Sequence, residues 1–280
     1  MADTNTPSTL KREADGTIEL SITLPAALVN KTWEEVIEQM VKGATLPGFR
    51  QGKAPRKMVE EKLDKEKIRE EVLKKVLPQA YIEAVKEHKL NPIINPKIHV
   101  EKLDEGKDWQ FTAITCEVPE VKLNNYKEEV KKVTAKSKIV IPGKEKPAPS
   151  LDEIIKIMID SVEVAVPGIL VEGEVERLLA QLLGEIKSLG LSLEQYLAST
   201  NRTVEQLREE YKKKAENDIK FEFALQKIAE EEKISVDAKE IDEALQKAKD
   251  ENERKQLEAN VYLLANILRQ QKTLDFLKNL

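Results

Sequence analysis

Phe49, Arg50 and Lys53 are the residues of this chain with the clearest chemistry to offer. They fall in Gly48-Phe49-Arg50-Gln51-Gly52-Lys53-Ala54-Pro55, with Pro47 just before. The prolines stiffen such a turn, and Gly48 and Gly52 permit a tight backbone. From Lys42 to Lys57 there are five basic residues (Lys42, Arg50, Lys53, Arg56, Lys57) and no acid. A planar guanidinium pairs with a carboxylate or phosphate, an ammonium adds a point charge, and the ring fills an apolar recess. The stretch therefore suits an RNA backbone with an apolar pocket beside it. The plain alternative is a turn that merely joins two helices, with its cations in water.

Nothing else in the chain reads as reactive chemistry. His88 and His99 are the only histidines, and neither stands with cysteines or carboxylates at metal-ligand spacing. The single cysteine, Cys116, lies in a strand pattern and is expected to be a buried, inert thiol. No phosphate-binding glycine loop or nucleophile elbow is present. Lys212-Lys213-Lys214 is flanked by acids and reads as a solvated helix face. The expectation is a protein with no catalytic residues, no metal and no cofactor.

Composition bounds the scaffold. At 280 residues the chain can hold two domains, each with its own core. Charged residues reach 35% and aromatics only 4%, which favours long, surface-rich helices over a compact barrel. Residues 1–150 carry 27 basic and 24 acidic side chains, so +3, whereas the rest carries −8 of the net −5. The half that holds the basic turn is the half suited to a polyanion. One cysteine excludes an internal disulfide and fits a cytoplasmic location. No apolar run approaches the ~18 residues of a membrane span, and the N-terminus has no hydrophobic leader.

The elements around the turn follow from periodicity. Residues 17–24 alternate polar and apolar after Asp15-Gly16, a strand closing a hairpin with residues 8–13. After Pro25, Trp33, Val36, Ile37, Met40 and Val41 form one helical stripe. Beyond the turn, helices are expected over 55–62 and from Lys65 to His88, the latter kinked or divided at Pro78. Residues 96–103 and 107–118 read as a second hairpin, with Trp109, Phe111, Ala113 and Thr115 on one face. Residues 118–138 read as an extended tail, and the proline-bearing stretch to Ser150 as a linker. From Leu151 onward the chain is almost all helix. Ser192–Gln195 and Thr203–Gln206 are capping boxes, Asp237–Glu240 caps a further helix, and the last helix spans about Glu251–Lys278.

This stretch and its setting resemble the GFRxGKxP signature of bacterial trigger factor, the ribosome-associated folding chaperone, at every fixed position. Val166-Pro167-Gly168-Ile169-Leu170 followed by Glu174 is similar, more loosely, to the opening of a long helix in that family's C-terminal domain. The resemblance implies an α+β ribosome-binding domain over 1–136, a linker over 137–150 and an extended all-α, SurA-like chaperone domain with long helical arms over 151–280. It implies an ATP-independent chaperone whose loop docks at the exit tunnel of the large ribosomal subunit, against a ribosomal protein and ribosomal RNA. The ribosome-binding residues would be Gly48, Phe49, Arg50, Gly52, Lys53 and Pro55. Clients would be nascent and unfolded polypeptides, and a homodimer is allowed. A ribosome-free holdase and a non-chaperone ribosome- or RNA-binding adaptor are the other readings.

One departure stands out. The family inserts a peptidyl-prolyl isomerase domain between these parts, and a domain needs on the order of 100 residues. Here only Lys138–Ser150 lies at that point, so no isomerase activity is expected.

Overall fold

The computed structural model describes residues 6–138 and 151–280, apart from 46, 48, 52–54, 105 and 249. Its contacts divide it into two units, one ending at Val118 and one beginning at Pro119.

In the first unit, β1 (Ser8–Arg12) and β2 (Thr17–Leu24) form a hairpin about Gly16, whose φ of 90° no side-chain-bearing residue adopts easily. Asp15 closes the turn by accepting from the Thr17 amide at 2.9 Å. Three helices follow: α1 (Ala26–Gly43), α2 (Arg56–Glu60) and α3 (Lys65–Glu87). Then β3 (Lys97–Lys102) and β4 (Trp109–Cys116) complete an antiparallel sheet in the order β1-β2-β4-β3.

Register puts one apolar row on the helix side. Leu20 pairs with Ala113, Ile22 with Phe111 and Leu24 with Trp109. Against them pack Val29, Val36 and Ile37 of α1 and Ile68, Val72 and Val76 of α3. Each such side chain contributes about 1.5–3 kcal/mol on burial, so this row is what fixes α1 against the sheet. Asp108 accepts from the Ala26 amide at 2.8 Å and thereby caps the start of α1.

Pro78 does not divide α3, which runs unbroken through it. The proline lies on the exposed side, where water can take over the carbonyl it frees.

The second unit opens differently from the extended tail expected over 118–138. Val121–Lys122 is a short strand, β5, and Tyr126–Lys138 is a helix, α4. Tyr126, Val130 and Thr134 are buried at spacing four, which is helical, while Val121 and Leu123 ahead of them alternate as a strand does. Tyr126 and Val130 pack with Ile154 and Met158 of α5 (Leu151–Ser161), so contact places this segment with the second unit. The expected linker lies outside the described residues from 139 to 150.

Beyond α5, β6 (Glu163–Val164) pairs antiparallel with β5, a two-residue addition to a unit that is otherwise helical, as expected. α6 (Gly168–Ser188) starts behind Pro167 and ends in a Schellman turn, with Leu191 donating to the Ile186 carbonyl and Gly190 to that of Lys187. α7 (Leu193–Thr200) and α8 (Val204–Glu231) each begin with the expected capping box. α8 has 28 residues, or about 42 Å of helix. It runs antiparallel to α6: Leu178 meets Ala215, and further along α6, Leu182 and Ile186 meet Leu207.

α9 (Ala238–Gln246) begins at Asp237 with a capping box. The expected last helix is two, α10 (Glu251–Ala259) and α11 (Val261–Asn279), divided at Asn260. The Asn260 side-chain Nδ2 donates back to the Gln256 carbonyl at 3.0 Å, a local bond that competes with continued helix.

Candidate functional site

The basic turn is held between α1 and α2. α1 ends at Gly43 with Ala44 in extended conformation. The Gln51 side chain reaches back to the Gly43 carbonyl at 3.4 Å. Pro55 opens α2, where its missing amide costs no helical bond. Of the residues singled out from sequence, Phe49, Arg50 and Pro55 are described, and all three are exposed. Gly48, Gly52 and Lys53 lie outside the described residues. Phe49 is 39% exposed, which is high for a phenyl ring.

The cations of this run divide into spent and free. Arg56 pairs with Glu34 of α1 at 2.5 Å and with Glu60 of its own helix. That links α2 to α1 and engages the guanidinium with two carboxylates. Lys42 lies 4.0 Å from Glu38. Among the described residues, no carboxylate pairs with Arg50 or Lys57, and the ion pairs of this unit involve other cations. Charge counting alone puts Arg56 and Lys57 on an equal footing, whereas in the structure Arg56 takes both Glu34, distant in sequence, and Glu60 of its own helix.

Met58 was missed by reading the sequence. It is 46% exposed beside Val59, which is 2% exposed. The signal for it was present but slight: on a helix, a residue one step from a buried position turns about 100° away.

The other titratable groups have structural roles. His88 Nε2 lies 2.9 Å from the Ser8 hydroxyl, which donates to Glu87 at 2.7 Å, so α3 grips the edge strand β1. Cys116 is fully buried, and desolvation pushes its thiol up to about 11, away from the thiolate that a nucleophile needs. A cleft of about 470 Å³ between α1 and α3 is open and rimmed by Lys67, Glu70, Glu71 and Lys75. Lys75 already donates to Gln39 at 2.8 Å across it. Among the described residues no three His, Cys, Asp or Glu side chains are grouped to hold a metal ion, and no helix is long and apolar enough to cross a membrane.

In the second unit the apolar stripes of α6 and α8 mostly pack on each other, yet several large side chains stay outside. Leu183, Leu189, Leu191 and Val204 are exposed where α6 and α7 turn towards α8. Tyr262, Leu263 and Ile267 are exposed on α11, Tyr262 by 84%.

Comparison with known proteins places this architecture. The family described as "Bacterial trigger factor protein (TF)" matches residues 7–142, and "Bacterial trigger factor protein (TF) C-terminus" matches 122–280. The two stretches overlap and leave no gap between residues 7 and 280. The trigger factor of Staphylococcus epidermidis is 39% identical over 108 residues, 39% of this chain and 25% of that protein. That of Macrococcus caseolyticus is 40% identical and that of Staphylococcus aureus 38%, over the same length and shares. The chain thus spans about a quarter of the curated relatives it matches. A solved structure described for promiscuous substrate recognition in folding and assembly activities of the trigger factor chaperone superposes with a TM-score of 0.65, over 98% of this chain and 99% of that one. At 13% identity that likeness is one of fold. With its N-terminal and C-terminal family regions meeting in one uninterrupted chain, the protein belongs to the bacterial trigger factor family.

Proposed function

We propose that the protein is an ATP-independent chaperone that docks beside the polypeptide exit tunnel of the large ribosomal subunit and shields nascent or unfolded chains. The observation that carries docking is the pairing of an exposed Phe49 with an Arg50 that no carboxylate neutralises among the described residues. Most large apolar side chains bury themselves, so an exposed ring beside an unneutralised guanidinium is a combination that a partner would complete. In this reading Phe49 fills an apolar recess. Arg50 pairs with a carboxylate or phosphate through its fork, and Lys53 adds a phosphate contact. Gly48, Gly52 and Pro55 shape the backbone that presents them.

The helical unit would hold clients. A chaperone without ATP must bind weakly and broadly, and scattered aliphatic side chains such as Leu189, Leu191 and Val204 suit that better than one aromatic anchor. Family regions that overlap leave no stretch for an inserted isomerase domain, which supports a short form without that activity.

The test is co-sedimentation with ribosomes at matched salt. The combined Phe49→Ala, Arg50→Ala, Lys53→Ala variant should lose most of its binding, and unchanged binding would overturn the docking reading. Suppression of aggregation of unrelated unfolded proteins should survive in the same variant. Suppression of none would favour an adaptor over a chaperone.

A further inference from the structure

α2 has two faces. At 100° per residue, Arg56, Val59 and Glu60 share the side turned to α1, where Val59 is buried and Arg56 pairs with Glu34. Lys57, Met58 and Glu61 share the opposite side, and all three are exposed. Because Val59 is buried on the inner face and Arg56 pairs there with Glu34, the outer face is not free to roll inward and bury Met58.

This face lies back from the turn. Arg56 meets α1 at Glu34, nine residues before Gly43, which is about 13 Å along the helix axis. A partner that receives Phe49 and Arg50 would therefore have to extend by roughly that distance to meet Lys57 and Met58 as well.

The chemistry of the face selects the kind of partner. Met58 is a flexible, polarisable apolar group of a type enriched at protein interfaces. No aromatic residue occurs from Gln51 to Asp64, so nothing there can stack on a base. Glu61 sits on the same face as Lys57 and would repel a run of phosphates. A protein surface tolerates this mixture, since one carboxylate can take Lys57 while an apolar recess takes Met58.

We infer that Lys57 and Met58 form a second contact patch, set back from the loop, that docks on a protein surface bearing an apolar recess edged by a carboxylate. This rests on the ribosome-docking reading and adds a protein contact on α2 to those that the loop makes. Arg56, in the same basic run, faces α1 instead and pairs with Glu34.

The experiment compares Lys57→Gln/Met58→Gln with the loop variant Phe49→Ala/Arg50→Ala/Lys53→Ala in the full chain. Affinity is measured for intact large ribosomal subunits and for protein-stripped large-subunit RNA, at matched salt. Both α2 positions are exposed, so thermal unfolding of the variant should match the parent. The α2 variant should bind subunits about tenfold more weakly and bind stripped RNA as the parent does. Weakening on stripped RNA to the same extent would mean that α2 contacts RNA, and the inference would fall. If the loop variant loses subunit binding while the α2 variant keeps it, the inference falls and the docking reading stands. If the α2 variant alone loses binding, the patch stands and the loop reading falls.

Discussion

The indole of Trp33 on α1 stands edge-on to that of Trp109 on β4, with ring centroids 6.4 Å apart and planes at 84°. Edge-to-face contact sets the positive rim of one ring against the negative face of the other. Trp109 is 2% exposed and donates its N–H to the Asp104 carbonyl at 3.1 Å, so it is the fixed member. α1 leans on it, and α1 ends at the basic turn. The position of the turn therefore depends on a contact near the middle of the helix that leads to it.

These are the only two tryptophans, and both lie in the first unit. Intrinsic tryptophan fluorescence should report unfolding of that unit alone. Trp109→Ala removes a fully buried ring and should cost about 3–5 kcal/mol. The urea midpoint read from the remaining Trp33 is expected to fall accordingly. A midpoint within experimental error of the parent would show that Trp109 does not anchor this core.

Cys116 gives the first unit a pH dependence on the alkaline side. Burial, with a smaller share from Asp15, holds the thiol up to about 11 in the folded protein. In the unfolded chain it ionises near its ordinary value of about 8.5. Because the folded value is raised, the neutral thiol's contribution is complete below the unfolded value and is lost as pH climbs from about 8.5 to about 11. Cys116→Ala should therefore lose less stability than the parent between pH 8 and pH 10, measured by urea unfolding at each pH. Parallel losses in the two proteins would argue against a buried thiol. A thiol-reactive dye at pH 8 is expected to label the native protein far more slowly than the protein in denaturant.

Placement of α4 in the second unit is open to the same kind of test. Val130 is fully buried in the cluster that includes Met158 and Leu225. Val130→Ala should cost about 2 kcal/mol from lost burial and the cavity left behind. Far-ultraviolet circular dichroism, dominated by the helical unit, should show an earlier transition. Tryptophan fluorescence should not move. A shift in fluorescence with unchanged dichroism would return α4 to the first unit.

An inserted isomerase would show itself in solution. The protein is expected to leave the rate of a proline-limited refolding reaction unchanged when added at catalytic ratios. Acceleration under those conditions would overturn the short-form reading.

The sequence alone determined what depends on near neighbours. β2 was legible from Thr17 to Leu24 because one-sided burial imposes period two. Ser192, Thr203 and Asp237 marked helix starts because each cap bonds three residues ahead. The GFRQGKAP stretch and its place between two helices were legible for the same reason. What depends on distant neighbours was not. Residues 118–138 read as a tail because the buried face of the helix within them is set by α5 and α8, which no local pattern reveals. Pro78 is tolerated because its side of α3 meets water, and the Asn260 side chain divides the last helix by donating to the Gln256 carbonyl. Above all, Arg56 and Lys57 are adjacent cations in one run, yet Arg56 takes both Glu60 of its own helix and Glu34, 22 residues away, while Lys57 takes neither. Charge and spacing are properties of the chain, but which charges remain available is decided by packing that brings remote acids within reach.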